Sequence, residues 1–188
     1  MQLLFFGIAL SLYYTLHSLL ADNKIKAILI DGFIPKRYYR IGFNIIAILL
    51  SIVMYWYYGQ IKTSCLFENS FVKYLGMAMF FTGLVVLVLA MKNYNLSEFI
   101  GTQYLKNGNQ PVPEKLRISG LNNYVRHPLY FATLLLLWGA FLFVRTDKLL
   151  IVAIVSTLYL LVGTRLEEQK LIKEFGDDYR TYQQNVPM

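Results

Sequence analysis

Residues 129–163 read LYFATLLLLWGAFLFVRTDKLLIVAIVSTLYLLVG. Two apolar runs, Leu129–Val144 and Leu149–Gly163, are separated only by Arg145, Thr146, Asp147 and Lys148. Neither run alternates polar and apolar residues, so neither reads as a strand of a membrane barrel. The stretch predicts a tight helical hairpin inside a bilayer. Each arm is short for a hydrocarbon core of about 30 Å, which takes roughly 20 helical residues. Thinning of the bilayer or packing against neighbours accommodates such arms.

Three further runs lie upstream: Leu3–Ala21, Ile41–Tyr58 and Phe71–Met91. The first lacks a basic n-region and an A-x-A-like cleavage site, so it reads as a retained span rather than a signal peptide. Composition agrees with lipid as the main solvent. Hydrophobic residues make up 56% of the 188, and charged residues only 15%, against about 25% in soluble domains. The predicted fold class is all-α, a polytopic integral membrane protein with about five transmembrane helices, a C-terminal helical hairpin and an amphipathic cytoplasmic tail helix. One domain is expected over 1–188. It comprises an N-terminal three-helix part (1–91), a cytoplasmic loop (92–128) and the hairpin with its tail (129–188). The single Cys65 excludes an intramolecular disulfide framework.

The net charge of +7 carries topological meaning. With the N-terminus outside, the outer segments hold Lys62, Lys73, Arg145 and Lys148. The other fourteen of the eighteen Lys and Arg residues then lie inside. The positive-inside rule therefore places the N-terminus outside, with the C-terminus and the polar segments in the cytoplasm. No basic module of a nucleic-acid-binding kind is present. His17, inside the first run, reads either as a tie to a neighbouring helix or as a mark of a substrate path.

Candidate chemistry collects on the cytoplasmic side. The connection from Lys92 to Arg126 is long for packed helices, and such loops are functional or disordered. At its end, NNYVRHPLYF (122–131) places Arg126, His127 and Pro128 where the fourth run begins. Proline suits the first helical position, because its missing N–H would be unpaired there. His127 precedes it and is pushed towards an extended conformation. Taken alone, the group is a membrane-interface anchor or an anion site built on a helix N-terminus and Arg126.

The tail TRLEEQKLIKEFGDDYRTYQQNVP (164–187) follows the hairpin. Leu171, Ile172, Phe175, Tyr179 and Tyr182 fall near one face, as in an interfacial amphipathic helix. Gly176, followed by Asp177 and Asp178, marks a break and a fresh start. Arg165, Glu167 and Glu168 lie just past the end of the fifth run. A hairpin brings them to the membrane face that holds Arg126 and His127. Carboxylates beside a cation and a helix terminus form either a structural clamp or a site for a zwitterionic ligand.

The residues GLNNYVRHPLYF and, after the hairpin, EEQKLIKEFGDDYRTYQQNVP resemble the isoprenylcysteine carboxyl methyltransferase superfamily. The matching positions are Gly120, Tyr124, Val125, Arg126, His127, Pro128 and Tyr130. They continue with Glu167, Glu168, Leu171, Phe175, Gly176, Tyr179, Val186 and Pro187. The N-terminal half, with LHSLLAD and YYRIGFN, is similar to small bacterial members, the NnrU-type and methanethiol S-methyltransferase groups. The resemblance implies a membrane methyltransferase that uses S-adenosylmethionine and needs no metal. Its acceptor would be lipophilic, or a small thiol or carboxylate. It also implies cofactor binding by Leu121, Tyr124, Val125, Arg126, His127, Pro128, Tyr130, Glu167 and Glu168. Arg126 and His127 would be catalytic, the latter as a base if the acceptor is a thiol, while Arg165 and Gln103 would face the acceptor. Two alternatives stay open: a membrane NADPH-dependent reductase of lipid or sterol type, and a non-catalytic protein that retains the pocket.

Overall fold

In a computed structural model, residues 1–92, 94–107, 116 and 118–188 are described. Among them the structure is helical, apart from one isolated bridge between Cys65 and Thr146. Four helices are long and apolar enough to cross a membrane: α1 (Gln2–Ala21), α3 (Lys36–Gln60), α4 (Ser70–Met91) and α8 (Asp147–Phe175). A shorter apolar helix, α7 (Pro128–Val144), completes the set. All five apolar runs are thus helices. Their large outward side chains, among them Leu4, Ile8, Ile48, Ile52 and Val88, are exposed. Water would penalise that surface, and lipid solvates it. The protein is an all-α polytopic membrane protein.

The chain divides into two compact units. The first comprises Met1–Ile61 and Tyr94–Pro113. Here α1 leads into α2 (Asn23–Gly32), whose first turn is capped by Asp22, which accepts from the amides of Lys24 and Ile25. Capping of this kind satisfies otherwise orphaned N–H groups. The hydroxyl of Tyr39 donates to Leu20 O at 2.5 Å, tying α3 to the last turn of α1. Two short helices, α5 (Leu96–Ile100) and α6 (Thr102–Asn107), also belong to this unit. Asn44 and Arg40 of α3 donate to the terminal carbonyls of α5. The sequence predicted neither α2 nor α5 and α6, because short charged helices leave no long apolar run. The segment from Gly108 to Lys115, in the connection expected to be functional or disordered, lies outside the described residues, as do Asn93 and Arg117.

The second unit comprises Lys62–Asn93 and Glu114–Met188. Helices α4 and α7 approach closely through Gly76 and Gly83 on one side and Gly139 on the other. A Cβ added at Gly139 would stand 2.5 Å from the backbone N of Phe80. Small residues at such crossings let membrane helices touch backbone to backbone. The α7–α8 turn is tighter than the four residues expected. Only Arg145, in the left-handed region at φ 62, and Thr146 separate the two helices. Residues 63–66 brace it: the amide of Leu66 donates to Arg145 O, and that of Asp147 donates to Ser64 O. Between the helices, Trp138 Nε1 donates to Thr157 Oγ1 at 3.0 Å.

Beyond Gly163 the structure departs from the expected tail. Residues 164–175 do not form a separate interfacial helix; they prolong α8, which runs unbroken for 29 residues. Charged residues end the apolar stretch but not the helix, since no glycine, proline or cap intervenes before Gly176. Gly176, at φ 58, then turns the chain into α9 (Asp177–Asn185). Tyr179, Tyr182 and Val186 are buried there against Leu116, Leu171, Ile172 and Phe175. Helix α9 therefore folds back as the amphipathic tail helix.

Candidate active site

The cluster lies in the second unit, where three pieces of chain meet: the start of α7, the polar end of α8, and α9. A 3-10 turn, Gly120–Asn123, precedes it. Pro128 occupies the first position of α7 and is fully buried, so the helix starts sharply and leaves Arg126 and His127 just before it. Adjacent residues on α8 point about 100° apart. Glu168 therefore turns inward and is 7% exposed, while the Glu167 side chain keeps 42% of its surface.

Glu168 is the hub. Its Oε1 accepts from Arg126 Nε at 2.8 Å, His127 Nε2 at 2.8 Å and the Tyr179 hydroxyl at 2.9 Å. Its Oε2 accepts from Arg126 Nη2 at 3.3 Å and from Gln183 Nε2. Burial alone would raise the carboxyl pKa. Hydrogen bonds from His127, Arg126, Gln183 and Tyr179 outweigh it and hold the group at about 2. The carboxylate is therefore ionised and only accepts, so His127 carries a proton on Nε2. Burial, and then the adjoining carboxylate, push the Tyr179 phenol upward, so it stays a donor.

Arg126 closes the knot from the other side. Its Nη1 donates to the carbonyls of Gln183 at 3.1 Å and Val186 at 2.6 Å, and its own amide donates to Pro187 O at 3.0 Å. Four of its five N–H donors are thus engaged within the protein. Tyr182 adds a bond to Asn122 O at 2.5 Å, and Asn122 Nδ2 donates to Arg126 O. The mouth of α7 and the tail helix are locked together through one guanidinium and one carboxylate.

Glu167 behaves differently. Its Oε2 accepts from the Tyr130 hydroxyl at 2.6 Å and lies 3.8 Å from His127 Nδ1. The His127 and Tyr130 rings stack with centroids 5.5 Å apart and planes 7° apart. Tyr124 is 76% exposed beside them in sequence. An accessible carboxylate thus adjoins a stacked aromatic pair, and such a set can receive a cation.

The structure brings Arg126, His127, Tyr130, Glu167 and Glu168 together. Leu121 and Val125 are half-buried supports, with the amide of Val125 donating to Leu121 O at 3.1 Å. Arg165 is exposed on α8. Gln103 belongs to the first unit, where its Oε1 accepts from Asn95 Nδ2 at 3.0 Å. Sequence reading missed Gln183 and Asn122. Gln183 follows Tyr179 by four residues and precedes Val186 by three, so its place on the buried face of α9 was the available signal.

The family model described as "Protein of unknown function (DUF1295)" matches residues 22–186. The chain is 29% identical over 183 residues to methanethiol S-methyltransferase 1 of Bradyrhizobium diazoefficiens, covering 95% of this chain and 63% of that protein. It therefore spans less than two thirds of that relative's length. It is 31% identical over 186 residues to a methanethiol S-methyltransferase of Pseudomonas sp. (strain GM41(2012)), covering 97% of this chain and 70% of that one. A shorter match, 42% identical over 79 residues, links it to the methanethiol S-methyltransferase of Pseudomonas deceptionensis, with 42% of this chain and 29% of that one covered. No solved structure matches. With the family match running through nearly the whole chain and the paired Arg-His-Pro and Glu-Glu segments assembled into one cluster, the chain belongs to the DUF1295 family, within the isoprenylcysteine carboxyl methyltransferase-like group.

Proposed function

We propose that this protein is a membrane methyltransferase that takes its methyl group from S-adenosylmethionine and passes it to a small thiol or carboxylate acceptor. In this reading the N-terminus lies outside and the cluster faces the cytoplasm. One observation carries the proposal: the two neighbouring glutamates have different fates. Glu168 is sealed within the protein by its own donors, whereas Glu167 keeps accessible lone pairs beside the His127–Tyr130 stack. A carboxylate against aromatic faces suits a ligand with an amino group, hydroxyls and a positive sulfur. The names of the relatives support methyl transfer, and a small thiol among the possible acceptors.

When bound, the cofactor supplies an electrophilic methyl group on a sulfonium. Glu167 would accept from its amino or ribose groups, with Tyr130 holding the carboxylate in place. The His127–Tyr130 pair and Tyr124 would provide the aromatic wall. The Arg126–Glu168 knot fixes the positions of these side chains relative to one another, which in-line transfer requires. The adjoining apolar hairpin would limit water around the transferring methyl group once the cofactor is bound, which would strengthen the electrostatic contacts there.

Titration of the detergent-purified protein with S-adenosylmethionine tests the reading. Glu167→Gln is expected to weaken binding about tenfold, and Tyr130→Phe about three- to tenfold, the loss of one hydrogen bond to a charged partner. Incorporation of labelled methyl into a thiol or carboxylate should accompany binding in the wild type. Preferential binding of NADPH would replace this reading with a reductase. Unchanged affinity in both variants would remove Glu167 and Tyr130 from the site.

A further inference from the structure

His127 enters the cluster with one ring nitrogen engaged and the other open. Nε2 donates to Glu168 Oε1 at 2.8 Å, because that carboxylate is ionised and only accepts. In the neutral imidazole Nδ1 is therefore bare. It makes no hydrogen bond: Glu167 Oε2, the acceptor opposite, stands 3.8 Å away, beyond bonding distance. Nor is it sealed. Among the described residues, the buried side-chain N and O atoms without a partner are His17 Nδ1, Arg145 Nε and Thr146 Oγ1, so His127 Nδ1 keeps accessible surface.

The ring thus lies between two carboxylates and bonds to one. A histidine ordinarily changes charge between about pH 5 and 8. Its other charged and phenolic neighbours hold still there. Arg126 stays cationic. Against burial, its hydrogen bonds keep Glu168 ionised down to about 2, and burial pushes the Tyr179 and Tyr182 phenols upward. Tyr130 donates to Glu167 Oε2 and stacks on the imidazole. A second proton on the ring, at Nδ1, meets Glu167. That side chain keeps 42% of its surface, so it has room to close the gap of about 1 Å to a charge-assisted hydrogen bond. The imidazolium would then pair with a carboxylate at each nitrogen, and Glu167 would face a cation of the protein's own.

We propose that this site takes up its cofactor in exchange for a proton: His127 protonated at Nδ1 occupies Glu167, and releases that proton to water when the positive end of S-adenosylmethionine takes its place. This rests on the methyl-transfer reading and adds a regulation of the same site. The proton passes from Nδ1 to solvent, and no other covalent bond forms or breaks. Acid therefore favours the internal pair and weakens the complex, whereas alkali frees Glu167 and strengthens it.

The chain has only two histidines, His17 and His127, so 15N-labelled histidine reads the ring directly. Full-length protein in nanodiscs is taken from about pH 8 to about pH 5.5, first alone and then with S-adenosylmethionine at each pH. His17→Gln assigns the signals. The expected result is a second proton on His127, at Nδ1, at the acid end, lost on adding S-adenosylmethionine, while Nε2 stays protonated throughout. Affinity should fall about tenfold from the alkaline to the acid end, the order expected of a like charge about 4 Å away at a partly exposed site. Glu167→Gln, which takes away the counter-charge for that proton, should flatten the dependence. A bare Nδ1 at both ends, a doubly protonated ring with S-adenosylmethionine bound, or an affinity independent of pH would overturn the proposal. Binding at about pH 8 is the separate check on the methyl-transfer reading. Its absence there removes both, whereas binding without proton exchange removes this proposal alone.

Discussion

Glu168→Ala is expected to lower folding stability by about 3–5 kcal/mol, the range for removing one partner of a buried ion pair. The substitution leaves the Arg126 guanidinium, with a side chain 10% exposed, facing a cavity without its counter-charge. It also strands the donors of His127, Tyr179 and Gln183. The tail helix then loses its hold on the mouth of α7, so S-adenosylmethionine binding should disappear together with stability. Thermal unfolding in detergent, followed by circular dichroism, measures the first effect. The same carboxylate sets a pH dependence. Its folded pKa is depressed from an ordinary value of 4.5 to about 2, so its contribution is complete above about 4.5. That contribution is lost as pH falls through about 2. The wild type should therefore lose stability between pH 5 and about 2 more steeply than Glu168→Ala, which has already lost the term. Parallel acid curves for the two proteins would show that the knot contributes no net stability.

Gly139→Leu is expected to be as severe for a different reason. The new Cβ would meet the backbone of Phe80 and Gly76 in α4, which no rotamer change can relieve. Helices α4 and α7 would have to separate. Overpacking costs about 1–3 kcal/mol for modest additions, which is the expectation for Gly139→Ala; the leucine should exceed it or prevent assembly. Gly163→Ala is the contrast, because nothing lies within 4 Å of its added Cβ. That change should be neutral or stabilise by up to about 1 kcal/mol through helix propensity. Both follow from unfolding of the purified variants in one detergent. Equal behaviour of the two would mean that the glycine crossing is not a tight contact.

The fold was legible because lipid imposes a length and a composition on each span. The five apolar runs became α1, α3, α4, α7 and α8, each run lying within its helix. Hydropathy reports the solvent, however, and not the end of a helix. It therefore stopped α8 at Gly163, although Thr164–Phe175 continues the same helix to the glycine that ends it. At the site, Pro128 announced a helix start, and the hairpin placed Arg126 and His127 near the two glutamates. The different fates of Glu167 and Glu168 were not legible, because rotation about the helix depends on what packs there. Gln183 was hidden for the same reason: an amide in a polar tail looks solvated until the tail folds back.

The second unit is built from two separated lengths of chain, with part of the first unit emerging between them. Synthesis proceeds at about 5–20 residues per second, so the 37 residues from Met91 to Pro128 take between about 2 and 7 s. Throughout that interval α4 waits in the membrane with Gly76 and Gly83 facing no partner. The waiting helix can be occupied in the meantime by any neighbour with a small-residue face, so yield in overexpressing cells should depend on how quickly α7 follows it.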